Sequence, residues 1–259
     1  MIYTCYEMIR DCRAGLPEGW SYFVSSYVPV VRKLMAHYAA DDPALLDRIL
    51  LVLREPGSSL FQSIEPAPER WFLGELRQAV LAQLETAPAG IEIDLATVAA
   101  ALQPLTLVEK QAAWFGTMRY DTASTGAMLR TAPATVEKIR RRAADLIRGA
   151  VDAWNQSLLA DNGVALGRAA AAASGNGCLS AKAFLDVLDG RATWRGREEL
   201  ESHAATCWHC IDRFCRLMEV VGWLRDTRPL SDAEAAPYRK LLGIEAPRRP
   251  LWKRLTSGA

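Results

Sequence analysis

Residues 201–214 read Glu-Ser-His-Ala-Ala-Thr-Cys-Trp-His-Cys-Ile-Asp-Arg-Phe and contain the pattern H-x-x-x-C-x-x-C in His203, Cys207 and Cys210. The periodicity around this pattern predicts one continuous helix. At about 100° per residue, the three donors then fall within an arc of about 60° on one helix face. Cys178 lies upstream, just before a second predicted short helix. Imidazole and thiolate groups are zinc ligands, so these four residues predict a closed tetrahedral zinc site that ties helices together.

Ordinary core packing, or a disulfide, is the alternative for these cysteines, because cysteine is often buried as a small apolar residue. The uneven distribution favours a metal: of six cysteines and three histidines in the chain, four cysteines and two histidines lie within residues 178–215. His209 and Cys215 fall outside the predicted arc and are weaker candidates. A catalytic zinc site would need an open coordination position and a general base. Four available protein donors favour a structural site, so we predict no enzymatic activity.

The composition is that of an ordinary globular protein. Of 259 residues, 50% are hydrophobic and 24% are charged, and the formal net charge of +1 gives no overall attraction for polyanions. The N-terminal residues do not form a signal peptide, and no segment reaches the roughly 18 apolar residues that span a bilayer. The few cysteines are unlike a secreted disulfide scaffold. We therefore predict a cytoplasmic protein with no membrane partner; the oligomeric state stays open.

Helical periodicity dominates and strand signals are scarce, so we predict an all-α fold. The pattern predicts helices at 18–38, after Pro43, and at 69–84, and a short helix at 232–242 before a loose basic tail. Residues 155–177 are polar and then rich in alanine and glycine. This composition predicts a joint rather than a part of the core.

A second pattern has the order of a helix-turn-helix. A short helix at 123–130 precedes a tight turn and a longer helix that opens at Pro133 and ends near Trp154. The longer helix is basic, and recognition helices carry phosphate and base contacts. We predict that four of its residues contact nucleic acid: Thr135, Lys138, Arg141 and Arg142. The alternative is a solvated helix face, which is the usual role of a charge run.

Residues 178–224 resemble the zinc-binding anti-sigma domain. In that family a cysteine precedes a short helix that ends in an Asp-Gly pair, here Asp189-Gly190, and the H-x-x-x-C-x-x-C motif follows. The resemblance implies tetrahedral Cys-His-Cys-Cys zinc. It also implies a role in holding a sigma factor inactive and, in some members, a response to thiol oxidation.

Residues 18–150 look like a bacterial sigma factor of the small extracytoplasmic-function type. The segments 47–54 and 69–77 resemble its polymerase-binding and promoter-melting region. Residues 123–148 resemble its promoter-reading helix-turn-helix, with Pro133-Ala-Thr-Val136 as the closest match.

The chain departs from the sigma-factor pattern at the turn and beyond the first region. Arg130 stands in place of the turn glycine, Ala132 in place of the serine cap, and Glu137 in place of a basic residue. After Leu84, residues 85–92 read Glu-Thr-Ala-Pro-Ala-Gly-Ile-Glu. They lack the aromatic and basic groups with which that family opens a promoter.

Together the resemblances imply a degenerate sigma factor fused to its own zinc-binding anti-sigma domain. The expected function is transcription regulation, with the response to thiol oxidation that some members of the anti-sigma family show. The expected partner is RNA polymerase core or another transcription factor, and promoter DNA is a further candidate. The alternative is a protein-interaction scaffold with a structural zinc site and no DNA binding. The expected modules are a sigma-like polymerase-binding domain at 1–90, a helix-turn-helix domain at 91–156, a linker at 157–177, a zinc-binding domain at 178–226 and a basic tail at 227–259.

Overall fold

The computed structural model describes residues 3–38, 42–55, 59–64, 68–84, 91–146 and 156–244. Throughout these ranges the regular secondary structure is helical, which confirms the predicted all-α class. The helices are α1 Cys5–Arg13, α2 Pro17–Tyr38, α3 Pro43–Arg54, α4 Ser59–Ser63, α5 Glu69–Gln83, α6 Leu95–Leu102, α7 Leu107–Thr117, α8 Thr122–Leu129, α9 Pro133–Leu146, α10 Gln156–Ala172, α11 Ala181–Leu188, α12 Trp194–Ala204, α13 Trp208–Asp226 and α14 Asp232–Leu241. Within this part of the chain, no helix combines the length and apolarity that crossing a membrane requires.

The main core is built around α2, which is buried along most of its length. Phe23 and Tyr27 of α2 meet Phe72 of α5 edge to face, and Trp20 meets Phe61 of α4 in the same way. Edge-to-face pairs place the positive edge of one ring on the negative face of another. The aromatic residues therefore fix how α2, α4 and α5 pack.

Helix α10 shows that the predicted joint at 155–177 is wrong. Leu159, Val164 and Leu166 of this helix are buried in the main core. The glycines that suggested flexibility instead permit close approach: a Cβ at Gly163 would lie 1.8 Å from the carbonyl oxygen of Thr117. The small residues let α10 pack directly on α7 and α13, so this segment is a structural part of the body.

Helix α13 contributes to two cores. Its residues Ile211, Cys215 and Val220 belong to the main core, whereas Cys210 and Phe214 belong to a smaller cluster. We call this smaller cluster the metal-side core; its buried residues are Phe184, Val187, Leu200, Ala204, Cys210, Phe214 and Leu217. Because one helix serves both cores, the 178–226 segment is packed on the N-terminal helices.

A buried ion pair joins α13 to α5. Arg77 Nε lies 2.6 Å from Glu219 Oε2, and both side chains are almost fully buried. The hydroxyls of Tyr38 and Tyr120 each donate to Glu219 Oε1, at 2.6 Å and 2.8 Å. A buried charge is tolerated when it is paired and hydrogen-bonded, and Glu219 satisfies both conditions.

A second buried carboxylate on α13 extends these contacts. Asp212 accepts a hydrogen bond from Trp114 Nε1 at 3.1 Å and one from Gln78 Nε2 at 3.3 Å. The polar contacts of α13 thus reach α2, α5 and α7.

Helices α7, α8 and α9 pack together, and the α8–α9 turn contains a left-handed residue. Arg130 has φ 53° and ψ 44°, a conformation that favours glycine. Arg140 fastens α9 by donating to the carbonyls of Ala112 and Tyr120 and to the hydroxyl of Thr125. The order short helix, turn, longer helix follows the sequence prediction.

The C-terminal predictions are covered in part. Helix α14 matches the short helix predicted at 232–242. The predicted helix end near Trp154 and the basic tail after Ile244 lie outside the described residues.

Candidate metal centre

The four predicted ligands converge on one point. The donor atoms of Cys178, His203, Cys207 and Cys210 all lie within 4.8 Å of one another. The Sγ atoms of Cys178 and Cys207 are 3.7 Å apart. A disulfide would bring the two sulfurs to about 2.05 Å, whereas two thiolates about 2.3 Å from one tetrahedral zinc ion lie about 3.8 Å apart. The geometry is therefore that of a group that could hold a metal ion, and its three cysteines form no disulfide.

The prediction of one continuous helix through the motif is wrong. Helix α12 ends at Ala204, Cys207 is the N-cap residue of α13, and Cys210 lies in the first turn of α13. The break is stabilised locally, because the carbonyl of His203 accepts hydrogen bonds from the backbone N–H groups of Thr206 and Cys207 and from the Thr206 hydroxyl. The donors therefore meet at a helix–helix corner and do not form a stripe along one helix.

Two of the four donors lie at the start of a helix. Cys207 and Cys210 lie at the N-terminus of α13, where unpaired backbone N–H groups and the helix dipole stabilise negative charge. The backbone N–H of Leu179 also donates to the sulfur of Cys210. A metal-bound sulfur at position 210 would keep this support.

Cys178 is presented by a tight turn. Its backbone N–H donates to the carbonyl of Gly175 at 3.0 Å, and the N–H of Gly175 donates to Cys178 Sγ at 3.4 Å. Burial raises the pKa of Cys178, but hydrogen bonds from Gly175 and from the neighbouring thiols outweigh burial and lower that pKa below its usual value. The turn is thus suited to a thiolate ligand.

Cys210 behaves in the opposite way in the metal-free chain. Burial raises the pKa of its thiol to about 12, and the hydrogen bond from Leu179 offsets only part of the increase. The thiol is therefore protonated at neutral pH without a metal. A cation that binds here must displace that proton.

The imidazole of His203 is poised for a ligand. Its Nε2 atom is buried and has no hydrogen-bond partner in the described part of the chain. A buried ring nitrogen without a partner costs free energy, unless it forms a hydrogen bond or its lone pair binds a metal ion. A metal ion at the centre of the three sulfurs would satisfy it.

The two weaker candidates have other roles. His209 Nδ1 contacts the carbonyls of Ala170 and Ala171 at 3.1 Å and 2.9 Å, so it packs against α10. Cys215 is fully buried in the main core. Neither residue belongs to the donor cluster.

Two contacts with the N-terminal helices reach the segments next to the ligands, and the sequence did not predict them. Arg213 lies over the ring of Trp71 and donates to the carbonyl of Leu179 at 3.1 Å. Lys110 of α7 donates to the carbonyl of Ala205 at 2.5 Å. The one sequence signal for Lys110 is its position three residues after Leu107, on the inward face of α7.

The predicted nucleic-acid contacts lie on α9. Thr135, Lys138, Arg141 and Arg142 are all exposed. Arg141 pairs with Glu137 on the same helix, and Arg142 Nη1 lies 2.6 Å from Glu109 Oε1 of α7. The face is accessible, but two of its four predicted contact residues are already paired with carboxylates.

No family model, curated protein or solved structure matches the chain.

Proposed function

We propose that the cluster binds one zinc ion in a closed structural site formed by Cys178, His203, Cys207 and Cys210. The observation that carries this proposal is the convergence of three sulfurs and one imidazole within 4.8 Å. Soft thiolates with one imidazole in a tetrahedral arrangement are the donor set of structural zinc. The zinc would stabilise the junction of α12 and α13 and tie it to the Cys178 turn.

Zinc content per purified chain tests this proposal. The expected result is one equivalent in the parent and a loss of tight binding in His203→Ala and Cys178→Ser. An open site would retain zinc after Cys178→Ser. A parent chain that takes up no zinc, or that prefers a hard cation such as magnesium, contradicts the proposal.

We further propose that the chain is a transcription regulator. In this proposal a sigma-like helical body, residues 18–150, is restrained by a zinc module, residues 178–224. The resemblance of residues 18–150 and 178–224 to the two families supports this function. The exposed basic face of α9 and the packing of α13 across α2, α5 and α7 are consistent with it. Zinc loss or thiol oxidation would then weaken the restraint.

The second candidate is an interaction scaffold that does not bind DNA, and the Arg77–Glu219 pair favours it. Withdrawing α13 from α5 would break this buried ion pair together with the hydrogen bonds from Tyr38 and Tyr120 to Glu219. The ion pair of Arg142 with Glu109 also reduces the free charge on α9. In this candidate the zinc module is a permanent part of the body.

Binding assays separate the two candidates. Purified chain, with zinc or with a chelator, is tested in a gel shift with promoter DNA and in a pull-down with RNA polymerase core. Regulation by the zinc module predicts binding that increases when zinc is removed. Binding to another protein that is unchanged by the chelator, with no DNA shift, supports the scaffold. No binding to DNA or polymerase in either state overturns the first candidate.

A further inference from the structure

Lys110 is a buried cation whose charge has no carboxylate partner among the described residues. The residue is 5% exposed, and the hydrogen bond that its ammonium makes goes to the backbone carbonyl of Ala205 at 2.5 Å. Burying an ammonium group is costly unless a negative group lies near it. A neutral carbonyl satisfies one N–H but does not balance the charge.

The accepting carbonyl lies in the connection between two predicted ligands. Ala205 is the C-cap residue of α12, and the chain then runs through Thr206 to Cys207. A cation at the C-terminus of a helix also interacts favourably with the helix dipole. Lys110 therefore restrains the segment that sets the separation of His203 from Cys207.

The charge of the proposed metal centre is complementary to Lys110. Three thiolates, one neutral imidazole and one Zn²⁺ ion add up to a net charge of −1. Such a centre, with part of its surroundings apolar, is stabilised by a nearby positive charge, since electrostatic interactions are stronger away from water.

We propose that Lys110 is a positioning residue of the metal centre, supplied by α7 from outside the zinc-binding segment. It fixes the corner between α12 and α13 through the Ala205 carbonyl and balances the negative charge of the metal-bound thiolates. This inference rests on the proposed zinc site. It makes the centre a joint product of the zinc-binding segment and of α7, a helix of the predicted helix-turn-helix domain at 91–156.

Three full-length variants test the role of Lys110. Lys110→Met removes the charge and the donor but keeps the length, Lys110→Arg keeps both, and Lys240→Met is a control at an exposed lysine on α14. Zinc affinity is measured by competition with a chromophoric chelator, and the visible absorption of the cobalt-substituted chain reports the ligand geometry. Loss of a residue that supports metal ligands typically weakens affinity about 10–100-fold. We expect that loss and an altered cobalt spectrum in Lys110→Met, parent-like behaviour in Lys240→Met, and substantial recovery in Lys110→Arg.

A stability measurement distinguishes positioning of the metal from simple helix capping. Urea unfolding of the parent and of Lys110→Met is compared in excess zinc and in excess chelator. Positioning predicts a larger loss with zinc than without it. Equal losses in the two conditions, or parent-like zinc affinity and cobalt spectrum in Lys110→Met, overturn the inference and leave the zinc site intact. If the parent binds no zinc, the zinc proposal itself fails, which is a different result.

Discussion

On one side of α13, Ile211 and Val220 pack into the main core and Glu219 is held by Arg77. On the other side, Cys210 and Phe214 pack into the metal-side core, which has seven buried residues. On the first side the carboxylate of Glu219 is satisfied by side chains alone, whereas the second side ends at a corner where His203 Nε2 has no partner among the described residues. A cluster this small does not bury enough apolar surface to be stable by itself. With zinc bound as we propose, α13 would be fixed to the body by protein contacts, while the metal-side core would depend on the cation.

The largest loss of stability is expected from breaking the Arg77–Glu219 ion pair, which joins α13 to the main core. Arg77→Met leaves the buried carboxylate of Glu219 without its cation and should destabilise the chain by about 3–5 kcal/mol. Urea unfolding measures this loss, and it should be the same in excess zinc and in excess chelator. The double variant Arg77→Met/Glu219→Gln removes the uncompensated charge and should recover part of the loss. A loss that depends on zinc would show that the two sides of α13 are not independent.

Zinc removal is expected to destabilise the metal-side core. At a free zinc concentration 100 times the dissociation constant, binding should stabilise the folded chain by about 2.7 kcal/mol. Hydrogen exchange followed by mass spectrometry should show faster exchange in α11 and α12 after chelation and unchanged exchange in α2 and α5. Cys178→Ser is the control, because its exchange should respond little to zinc. Equal changes in α2 and in α12 would contradict the comparison.

The Cys210 thiol in the metal-side core should also make the stability of the metal-free chain depend on pH. Burial raises the pKa of Cys210 to about 12 in the folded chain, above the usual thiol value of about 8.5. A group with a raised folded pKa contributes stability that is fully present below the unfolded pKa. This contribution is lost as the pH rises toward the folded pKa. The zinc-free parent should therefore lose stability between about pH 8.5 and 12.

Cys210→Ala isolates this contribution. Cys215 and the other buried thiols of the body are common to both chains, so any difference in alkaline sensitivity reports on position 210. Unfolding midpoints at pH 8 and pH 10, measured with a chelator present, should fall less in Cys210→Ala than in the parent. In the zinc-loaded parent the sulfur is deprotonated by the metal, so acidification should destabilise it instead. Equal alkaline losses in the parent and the variant would contradict the assignment.

The sequence predicted the four donor residues, but it did not predict the local backbone structure that brings them together. Histidine and cysteine are rare in this chain, so their clustering with spacings of four and three identified a candidate set. The helix break after Ala204 was not predictable, because Ala-Ala-Thr contains no helix-breaking residue. The contact of Lys110 with Ala205 was not predictable either, because Lys110 lies on a helix that is distant in sequence. The chain's all-α class followed from periodicity. Helix α10 was missed because glycine and alanine suggest flexibility, although here they permit close packing.

The buried polar contacts of α13 were beyond sequence reasoning for a related reason. Arg77 and Glu219 are 142 residues apart, and each looks like an ordinary charged residue of an amphipathic helix. Their burial exists only after α5 and α13 have packed. The roles proposed for α9 and for the sigma-like body remain predictions until binding is measured.

The smallest effect is expected at the surface link between the two regions. Arg70 Nη1 of α5 lies 2.7 Å from Asp189 Oδ1, next to the C-terminus of α11, and both side chains are partly exposed. Solvent screening limits such pairs to about 0.2–1 kcal/mol. A double-mutant cycle with Arg70→Gln and Asp189→Asn, followed by urea unfolding in excess zinc, measures the coupling energy. Asp189 also pairs with Arg191, so the single variant Asp189→Asn should cost more than the coupling energy with Arg70. A coupling energy as large as the loss in Arg77→Met would mean that the metal-side core is fastened to the body by its rim, and the contrast between the two sides of α13 would then be wrong.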